Sequence, residues 1–297
     1  MTAFVPSYDV ETNEAHDNDA CLASCRAVVE LHERLGIPAT LFIVGKALVA
    51  REPEYRAMLR GNPLFEVASH SWSHQLLAEH PYGSTPLASY EWPAELKQGK
   101  DAVEQMTGQE CSGFRPACGW PDGLNVLPLL PWAVKTTGFA YVSSQLWGPG
   151  FTMPAPLRSP WRYAVSRLWE MPTPLMRPWR YAVPGLWEMP AHGWHDNILS
   201  GVSPGQYRVR WPFFPWTFAG AVTWPDSDPA PYLRCIEWAS RFVPELPYLS
   251  FIWHPWSLCQ IDPTLGYVEK TLRYVRECGG TYSTFAQEYA RNATDNG

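Results

Sequence analysis

The chain has 297 residues, which at about 150 residues per domain suits two domains or one large α/β barrel, and its formal net charge is −6. The acidic balance excludes the clustered Lys and Arg of a nucleic-acid interface, and no apolar run approaches the roughly 18–20 residues that cross a bilayer. The first six residues carry no basic or extended apolar stretch and the seven cysteines form no Cys-x-x-Cys pair, so we expect a cytoplasmic protein without a signal peptide, a disulfide framework or a zinc ribbon.

The two ends of the chain alternate strand-like and helix-like segments. Apolar spacing predicts, in chain order, a strand over 4–10, a helix over 19–35 closed by Gly36, a strand over 39–45, a helix over 46–60, a strand over 65–69 and a helix over 94–107. Beyond the middle third it predicts a helix near 230–242, a strand over 248–253, a helix near 264–278, a strand near 281–284 and a final helix from Phe285. Strands spaced by helices of this length indicate βαβ units and a parallel sheet.

The middle third is rich in proline and tryptophan. Between residues 120 and 232 lie 18 of the 30 prolines and 11 of the 16 tryptophans, and proline excludes long helices and central strands, so we expect loops there. The segments Met153 to Glu170 and Met171 to Glu188 match at 13 of 18 positions. Two such units are too few for a solenoid. We therefore interpret 153–190 as a duplicated loop segment, with a Trp-rich lid over a sugar-sized cleft as the alternative.

An acidic pair follows the first predicted strand. Asp9 and Glu11 are two residues apart, so on an extended segment their side chains lie on the same side. One carboxylate of such a pair can bind a metal ion while the other acts as a base, although acidic residues at strand ends are also common without a function. His16 and Asp17 follow closely and are rivals for the ligand role.

A histidine pair follows the third predicted strand. If a helix begins at Ser71, His70 and His74 stand one turn apart, about 6 Å along the axis. Both imidazoles could then bind one ion at about 2.0–2.1 Å from each nitrogen. A His-x-x-x-His spacing also arises by chance, but its position directly after an apolar strand favours a metal site.

Two further segments each carry one candidate residue. Arg115 precedes Pro116, which restricts its backbone conformation. A guanidinium can hold a carboxylate in bidentate fashion. Gly119 lets the backbone approach a ligand closely. His254 stands at the end of the apolar run 251–253. Taken alone, such residues are more typical of a solvated turn and of a core histidine.

Taken in order, these segments resemble the motifs of the polysaccharide deacetylases, carbohydrate esterase family four. The matching segments are 4–11 for the first motif, 39–45 for the family's Ala-Thr-Phe-Phe-Val-x-Gly strand, 70–74 for its His-Ser/Thr-x-x-His motif, 115–119 for the third motif and 253–255 for the last. The resemblance spans residues 4–290. It implies a single catalytic domain over 1–297, folded as a distorted (β/α) barrel of seven strands, with the Pro/Trp-rich insertion within it.

The resemblance also implies roles for the matching residues. Asp9 matches the catalytic base, Arg115 the residue that holds this base, and His254 the general acid. His70 and His74 match the two imidazole ligands of a divalent metal ion, for which we expect Zn2+.

The first and fourth motifs depart from the common family pattern. Val10 stands where the common form has a second Asp, and Glu11 is therefore the expected third ligand. A fourth motif is matched only loosely by 188–197, where Asp196 could orient His254. The residues expected to contact the substrate are Trp120, Trp194 and His195.

The implied activity is removal of an N-acetyl group from an amino sugar or its oligomer, by attack of a metal-bound water. The expected partner is thus a small molecule or an oligosaccharide, with neither nucleic acid nor membrane, and a homo-oligomer stays open. Two alternatives compete: hydrolysis of another C–N bond, as in allantoinase-like and cyclic-imide hydrolases, and a non-catalytic carbohydrate-binding relative. The intact set of candidate residues argues against the last.

Overall fold

The structure is a computed structural model that describes residues 2–12, 17–81, 84–151, 155, 157–163, 185–192 and 246–295. In these ranges one curled sheet of eight strands is combined with helices, which confirms the predicted α/β class and the distorted barrel. The predicted helix near 230–242 lies outside the described residues. Within them, no helix has the length and apolar character needed to cross a membrane.

The strands run mostly parallel, as predicted. They are β1 (Ala3–Val10), β2 (Ala39–Ile43), β3 (Phe65–Ser69), β4 (Gly113–Phe114), β5 (Tyr141–Val142), β6 (Trp161–Arg162), β7 (Trp187–Glu188) and β8 (Tyr248–Trp253). Their order in the sheet is β6-β7-β5-β4-β3-β2-β1-β8, and only the pair β6 and β7 is antiparallel. The sheet thus has eight strands rather than the expected seven, and β1 lies between β2 and the edge strand β8.

Eight helices surround this sheet in the described chain. They are α1 (Asn18–Leu35), α2 (Gly45–Ala50), α3 (Glu52–Leu59), α4 (Trp92–Thr107), α5 (Leu130–Thr136), α6 (Pro255–Ile261), α7 (Gly266–Glu277) and α8 (Phe285–Asp295). The ends of α1 follow from local chemistry. The Asp17 carboxylate accepts hydrogen bonds from the N–H groups of Asp19 and Ala20, and Gly36 ends the helix in the left-handed region at φ 64°.

Three expected elements differ from the structure. The helix expected over 46–60 is two helices, because the backbone leaves the helical region at Arg51 (φ −136°, ψ 38°). Near 281–284 there is only an isolated bridge between Phe4 and Tyr282. No helix begins at Ser71, where a tight turn follows β3 instead.

The duplicated segment is more than a loop where the structure describes it. Trp161 and Arg162 of the first unit form β6, and Trp187 and Glu188 of the second unit form β7. The two strands pair, and β7 in turn pairs with β5, so both units contribute to one edge of the sheet.

The register of the parallel strands β1, β2, β3, β4 and β8 places their carboxyl ends together at one end of the sheet. Asp9 is paired with Phe42 of β2, Ser69 of β3 with Phe114 of β4, and Tyr8 with Trp253 of β8. The residues that directly follow β3, β4 and β8 therefore emerge beside the end of β1. This is the edge where barrel enzymes carry their catalytic residues.

Candidate metal and catalytic centre

Three side chains from the segments that follow β1 and β3 form a compact cluster. The ligand-type atoms of Glu11, His70 and His74 all lie within 4.8 Å of one another. Glu11 Oε2 is 2.7 Å from His74 Nε2 and 3.4 Å from His70 Nε2. Two imidazole nitrogens and one carboxylate oxygen are the donor set of a catalytic zinc site that keeps a position open for water.

The orientation of His70 supports a metal ligand. Its Nδ1 lies 2.8 Å from the backbone oxygen of Arg115, so Nδ1 carries the proton and Nε2 presents a lone pair. This Nε2 is buried and has no hydrogen-bond partner among the described residues. A backbone carbonyl behind the ring is the usual support of a histidine ligand. The residues present therefore fit a bound divalent ion.

The turn that carries His74 is held from outside the motif. Ser71 and His74 both have positive φ, 62° and 61°, so the two histidines meet across a tight turn rather than along a helix. The backbone oxygens of Ser71 and Trp72 accept hydrogen bonds from the first two N–H groups of α2 at 2.9 and 2.8 Å. The helix expected from Ser71 is absent, because the backbone oxygens of this segment accept hydrogen bonds from the start of α2. The local sequence pattern does not reveal these bonds.

A carboxylate that is distant in the sequence stabilises this turn through hydrogen bonds. Glu95 of α4 accepts hydrogen bonds from the Ser73 backbone N–H at 2.6 Å and from the Ser73 hydroxyl at 2.9 Å. Glu95 is buried, although it lies 22 residues away from Ser73 in the sequence. No local motif could have indicated this contact.

Asp9 has different neighbours from Glu11. Its Oδ1 accepts a hydrogen bond of 2.5 Å from Arg115 Nη1, and its Oδ2 is 3.8 Å from His70 Nε2. Burial would raise the pKa of Asp9, but the charge of Arg115, followed by those of His70 and His254, outweighs it and holds the pKa below its ordinary value. Asp9 is thus an ionised carboxylate, fixed on one side and facing the cluster on the other.

The cluster keeps Glu11 ionised as well. Burial alone would raise the pKa of Glu11, and the charge of His74, together with the close contacts to His70 and His74, brings it well below the ordinary value. The reciprocal effect acts on His74, whose pKa burial would lower and Glu11 raises above its ordinary value. Two ionised carboxylates beside two imidazoles form a strong site for a cation.

Arg115 is itself held by a cage that the sequence did not predict. Its Nη2 donates to the hydroxyls of Ser7 and Ser143, both at 3.1 Å, and its guanidinium lies 4.0 Å from the ring centroid of Phe42. Arg115 is completely buried. Ser7 stands within the first motif, and Ser143 directly follows β5, a strand of two residues that is too short to show a pattern.

His254 directly follows β8 and lies near Glu11. Its Nε2 lies 3.9 Å from Glu11 Oε1, and it is the N-cap of α6. The register of β8 against β1 places His254 next to Asp9. All six motif residues thus lie close together where the parallel strands end.

Other candidates lie elsewhere. Trp120 is 1% exposed within the main hydrophobic core, and its indole N–H donates to the Glu79 backbone oxygen at 3.0 Å. Asp17 caps α1 and is not in the cluster. Glu188, from the loosely matched fourth motif, is fully buried and accepts from the N–H groups of Ser144 and Gln145 at 2.7 and 2.8 Å. His16, Trp194, His195 and Asp196 lie outside the described residues.

Comparisons with known proteins agree with this geometry. The family model for polysaccharide deacetylase matches residues 17–126, a range that contains His70, His74 and Arg115. No curated protein matches the chain significantly. A protein from Mycobacterium smegmatis that carries the polysaccharide deacetylase name is 15% identical, with a TM-score of 0.64 over 99% of this chain and 91% of its own.

Two further solved structures share the fold. A protein from Pseudomonas aeruginosa PAO1 with the polysaccharide deacetylase name is 14% identical, with a TM-score of 0.61 over 98% of this chain and 90% of its own. Puue allantoinase is 12% identical, with a TM-score of 0.61 over 97% of this chain and 89% of its own. The family match over residues 17–126 and the shared fold make this chain similar to the polysaccharide deacetylases.

Proposed function

We propose that this chain is a metal-dependent amide hydrolase that removes the N-acetyl group from an amino sugar or its oligomer. The observation that carries the proposal is the pairing of two differently held carboxylates. Glu11 lies in a cluster with His70 and His74, whereas Asp9 is held by Arg115 beside that cluster. Metal-dependent amide hydrolysis uses a carboxylate as metal ligand and a separate carboxylate as base, and this arrangement could supply one of each.

The metal site would be formed by Glu11, His70 and His74. A divalent ion bound there, with Zn2+ favoured by the donor set, would polarise the amide carbonyl and lower the pKa of a water towards about 7. Around it, Asp9 is the group placed to accept a proton. Its lowered pKa keeps it ionised, and Arg115 prevents it from turning away.

His254 is the group placed to donate a proton. Water adds to the carbonyl carbon, the C–N bond breaks, and the departing nitrogen must be protonated because an amide anion is a very poor leaving group. Asp9 is held by Arg115, whereas His254 lies 3.9 Å from Glu11 Oε1. Base and acid therefore act from separate positions, and the products are acetate and a free amino sugar.

Acetate release tests the proposal. We expect protein reconstituted with zinc to release acetate from N-acetylglucosamine oligomers, chelated protein to release none, and Asp9→Asn to keep the metal with little activity. Reconstituted wild-type protein that binds zinc and releases no acetate from a panel of N-acetylated sugars would refute the proposed substrate. Protein that binds no zinc would refute the metal site and favour a non-catalytic carbohydrate-binding protein.

The second candidate is hydrolysis of a ring C–N bond. It is supported by the fold shared with Puue allantoinase, whose TM-score equals that of the Pseudomonas protein. The same base and acid could open a ureide or imide ring, since the bond cleaved is again an amide bond. Ring opening of allantoin or succinimide, measured beside acetate release on the same protein, decides between the two.

A further inference from the structure

Glu11 is held from two sides by different partners. Its Oε2 faces the imidazoles of His74 and His70 at 2.7 and 3.4 Å. Its Oε1 points the other way, 3.4 Å from the indole Nε1 of Trp256, which donates to it. One oxygen of the carboxylate therefore belongs to the metal cluster and the other does not.

The turn from β8 into α6 brings Trp256 to this place. The backbone of His254 is extended, and α6 begins at Pro255. Trp256 lies in the first turn of α6, at the end of the sheet where β1 also ends. The Trp256 side chain is buried, and its ring centroid is 5.9 Å from that of His254. A buried indole N–H requires an acceptor, and Glu11 Oε1 supplies one.

We propose that Trp256 is a positioning residue for the metal ligand Glu11. Its N–H holds Oε1 outside the cluster, so that Oε2 alone faces the ion beside the two imidazoles. The proposal rests on the metal site of the proposed function.

The physical reason is the freedom of the carboxylate. Without a partner for Oε1, the group can rotate about its Cγ–Cδ bond and present either oxygen, or both, to the cluster. Hydrogen bonds to ligating groups restrict such motion, and their loss typically weakens metal binding about 10–100-fold. The same contact keeps the outer oxygen of Glu11 near His254, 3.9 Å away.

A substitution that removes only the N–H tests this role. Trp256→Phe keeps an aromatic ring, and site-specific replacement of Trp256 by benzothienylalanine keeps the full bicyclic shape without the N–H. The matched control is Trp253→Phe, one strand residue before His254, whose ring is buried against Tyr8 and Phe4 rather than Glu11. Zinc affinity is measured on each protein by competition with a chromophoric chelator, and the absorption spectrum of the Co2+ form reports the ligand geometry.

The expected result separates the variants. Both Trp256 replacements should weaken zinc binding about tenfold or more and shift the Co2+ absorption bands, whereas Trp253→Phe should leave both within about twofold of the wild type. Benzothienylalanine at 256 that binds zinc as tightly as the wild type, with an unchanged Co2+ spectrum, would overturn the role of Trp256 and leave the proposed function intact. A wild-type protein that binds no zinc would overturn both.

Discussion

Asp9 and Glu11 are two residues apart, yet their neighbours differ, and the proposed function therefore gives them different roles. Asp9 is bound to Arg115 at 2.5 Å, and Glu11 is bound to His74 at 2.7 Å. A carboxylate that ligates a metal is a poor base, because coordination lowers its pKa. The division therefore has consequences that two substitutions can separate.

Glu11→Gln should lose both the metal and the activity, since it removes the only carboxylate of the cluster. Asp9→Asn should keep nearly stoichiometric metal while the hydrolytic rate falls about 10²–10⁴-fold, the usual weight of a general base. Metal analysis of the two purified variants, with a rate measurement on each, checks this. An empty Asp9→Asn and a loaded Glu11→Gln would mean that the roles are reversed.

Arg115 should set the acidic limit of the pH–rate profile. The base works only as a carboxylate, so activity is lost as the pH falls through the pKa of Asp9, which Arg115 helps to keep below its ordinary value. Removing this charge in Arg115→Gln should raise that pKa, and the acidic limb of kcat/KM should move to higher pH by about one to three units.

Two controls accompany this profile. Metal content is measured at each pH, because protonation of His70 and His74 would also release an ion. Arg34→Gln removes an exposed arginine paired with Glu269 and should leave the limb in place. If the limb of Arg115→Gln coincides with that of the wild type while metal is retained, Asp9 is not the titrating base.

For the individual site residues, the sequence indicated which side chains lie near each other but not which residues hold them in place. Asp9, Glu11 and His254 could be placed because each follows or ends a strong apolar strand. The partners of Arg115 could not, since Ser143 follows a strand of two residues. Trp256 was adjacent to a motif residue, but nothing in its spacing indicated a contact with β1.

Among the elements, the turn between β3 and α4 departs most from the prediction. α4 packs closely against this turn at a glycine. A Cβ atom added to Gly99 would lie 2.6 Å from the backbone carbon of Ser71 and 2.8 Å from its oxygen. These are backbone atoms between His70 and His74, so they cannot yield as a flexible side chain would.

Gly99→Ala should therefore destabilise the protein, against the usual preference of helices for alanine. Propensity alone would stabilise α4 by about 1 kcal/mol. The clash with Ser71 should outweigh this and lower the free energy of unfolding by about 1–3 kcal/mol, with weaker zinc binding because His70 and His74 flank the displaced residue. Urea unfolding and metal titration measure the two effects.

The control for this prediction is Gln98→Ala, a neighbouring exposed position of α4. It should change the free energy of unfolding by less than about 0.5 kcal/mol. A Gly99→Ala protein that is more stable than the wild type would show that α4 can move away from the turn without cost.

For the whole molecule, the sequence predicted the parallel α/β architecture and missed half of the strands. β1, β2, β3 and β8 have five to eight residues and carry clear apolar runs. The four strands at the other side, β4 to β7, have two residues each. Two residues show no periodicity, so such strands are fixed by tertiary contacts alone.

The duplicated segment illustrates this dependence. Tyr163, just after β6, donates a hydrogen bond to the buried Glu188 carboxylate of β7 and accepts one of 2.9 Å from the Leu124 N–H. Its own N–H bonds to the Leu186 oxygen at 3.1 Å, which extends the pairing of the two strands. The first unit thus supplies one strand of this edge pair and the second unit supplies the other.

Each unit nevertheless contains the residues for both strands. Deleting 153–170 leaves Trp179-Arg180-Tyr181 at the same distance from residue 152 as the original Trp161-Arg162-Tyr163, and Trp187 and Glu188 are unchanged. Between Tyr181 and Leu186 then lie only Ala-Val-Pro-Gly. Four residues are a common length for a hairpin loop, and Pro-Gly is a turn signal. We therefore expect the deletion variant to unfold cooperatively and to keep stoichiometric metal.

One tyrosine reports whether the second unit has replaced the first. In the full chain, Tyr163→Phe should cost about 1–3 kcal/mol of unfolding free energy because it leaves Glu188 and the Leu124 N–H without this partner, and Tyr181→Phe should cost less than about 0.5 kcal/mol. In the deletion variant, Tyr181→Phe should become as costly as Tyr163→Phe was. Urea unfolding of the wild type, the deletion variant and the three tyrosine variants measures these values. A deletion variant without a cooperative transition, or one in which Tyr181→Phe stays silent, would show that the long connection between β6 and β7 is itself needed for the fold.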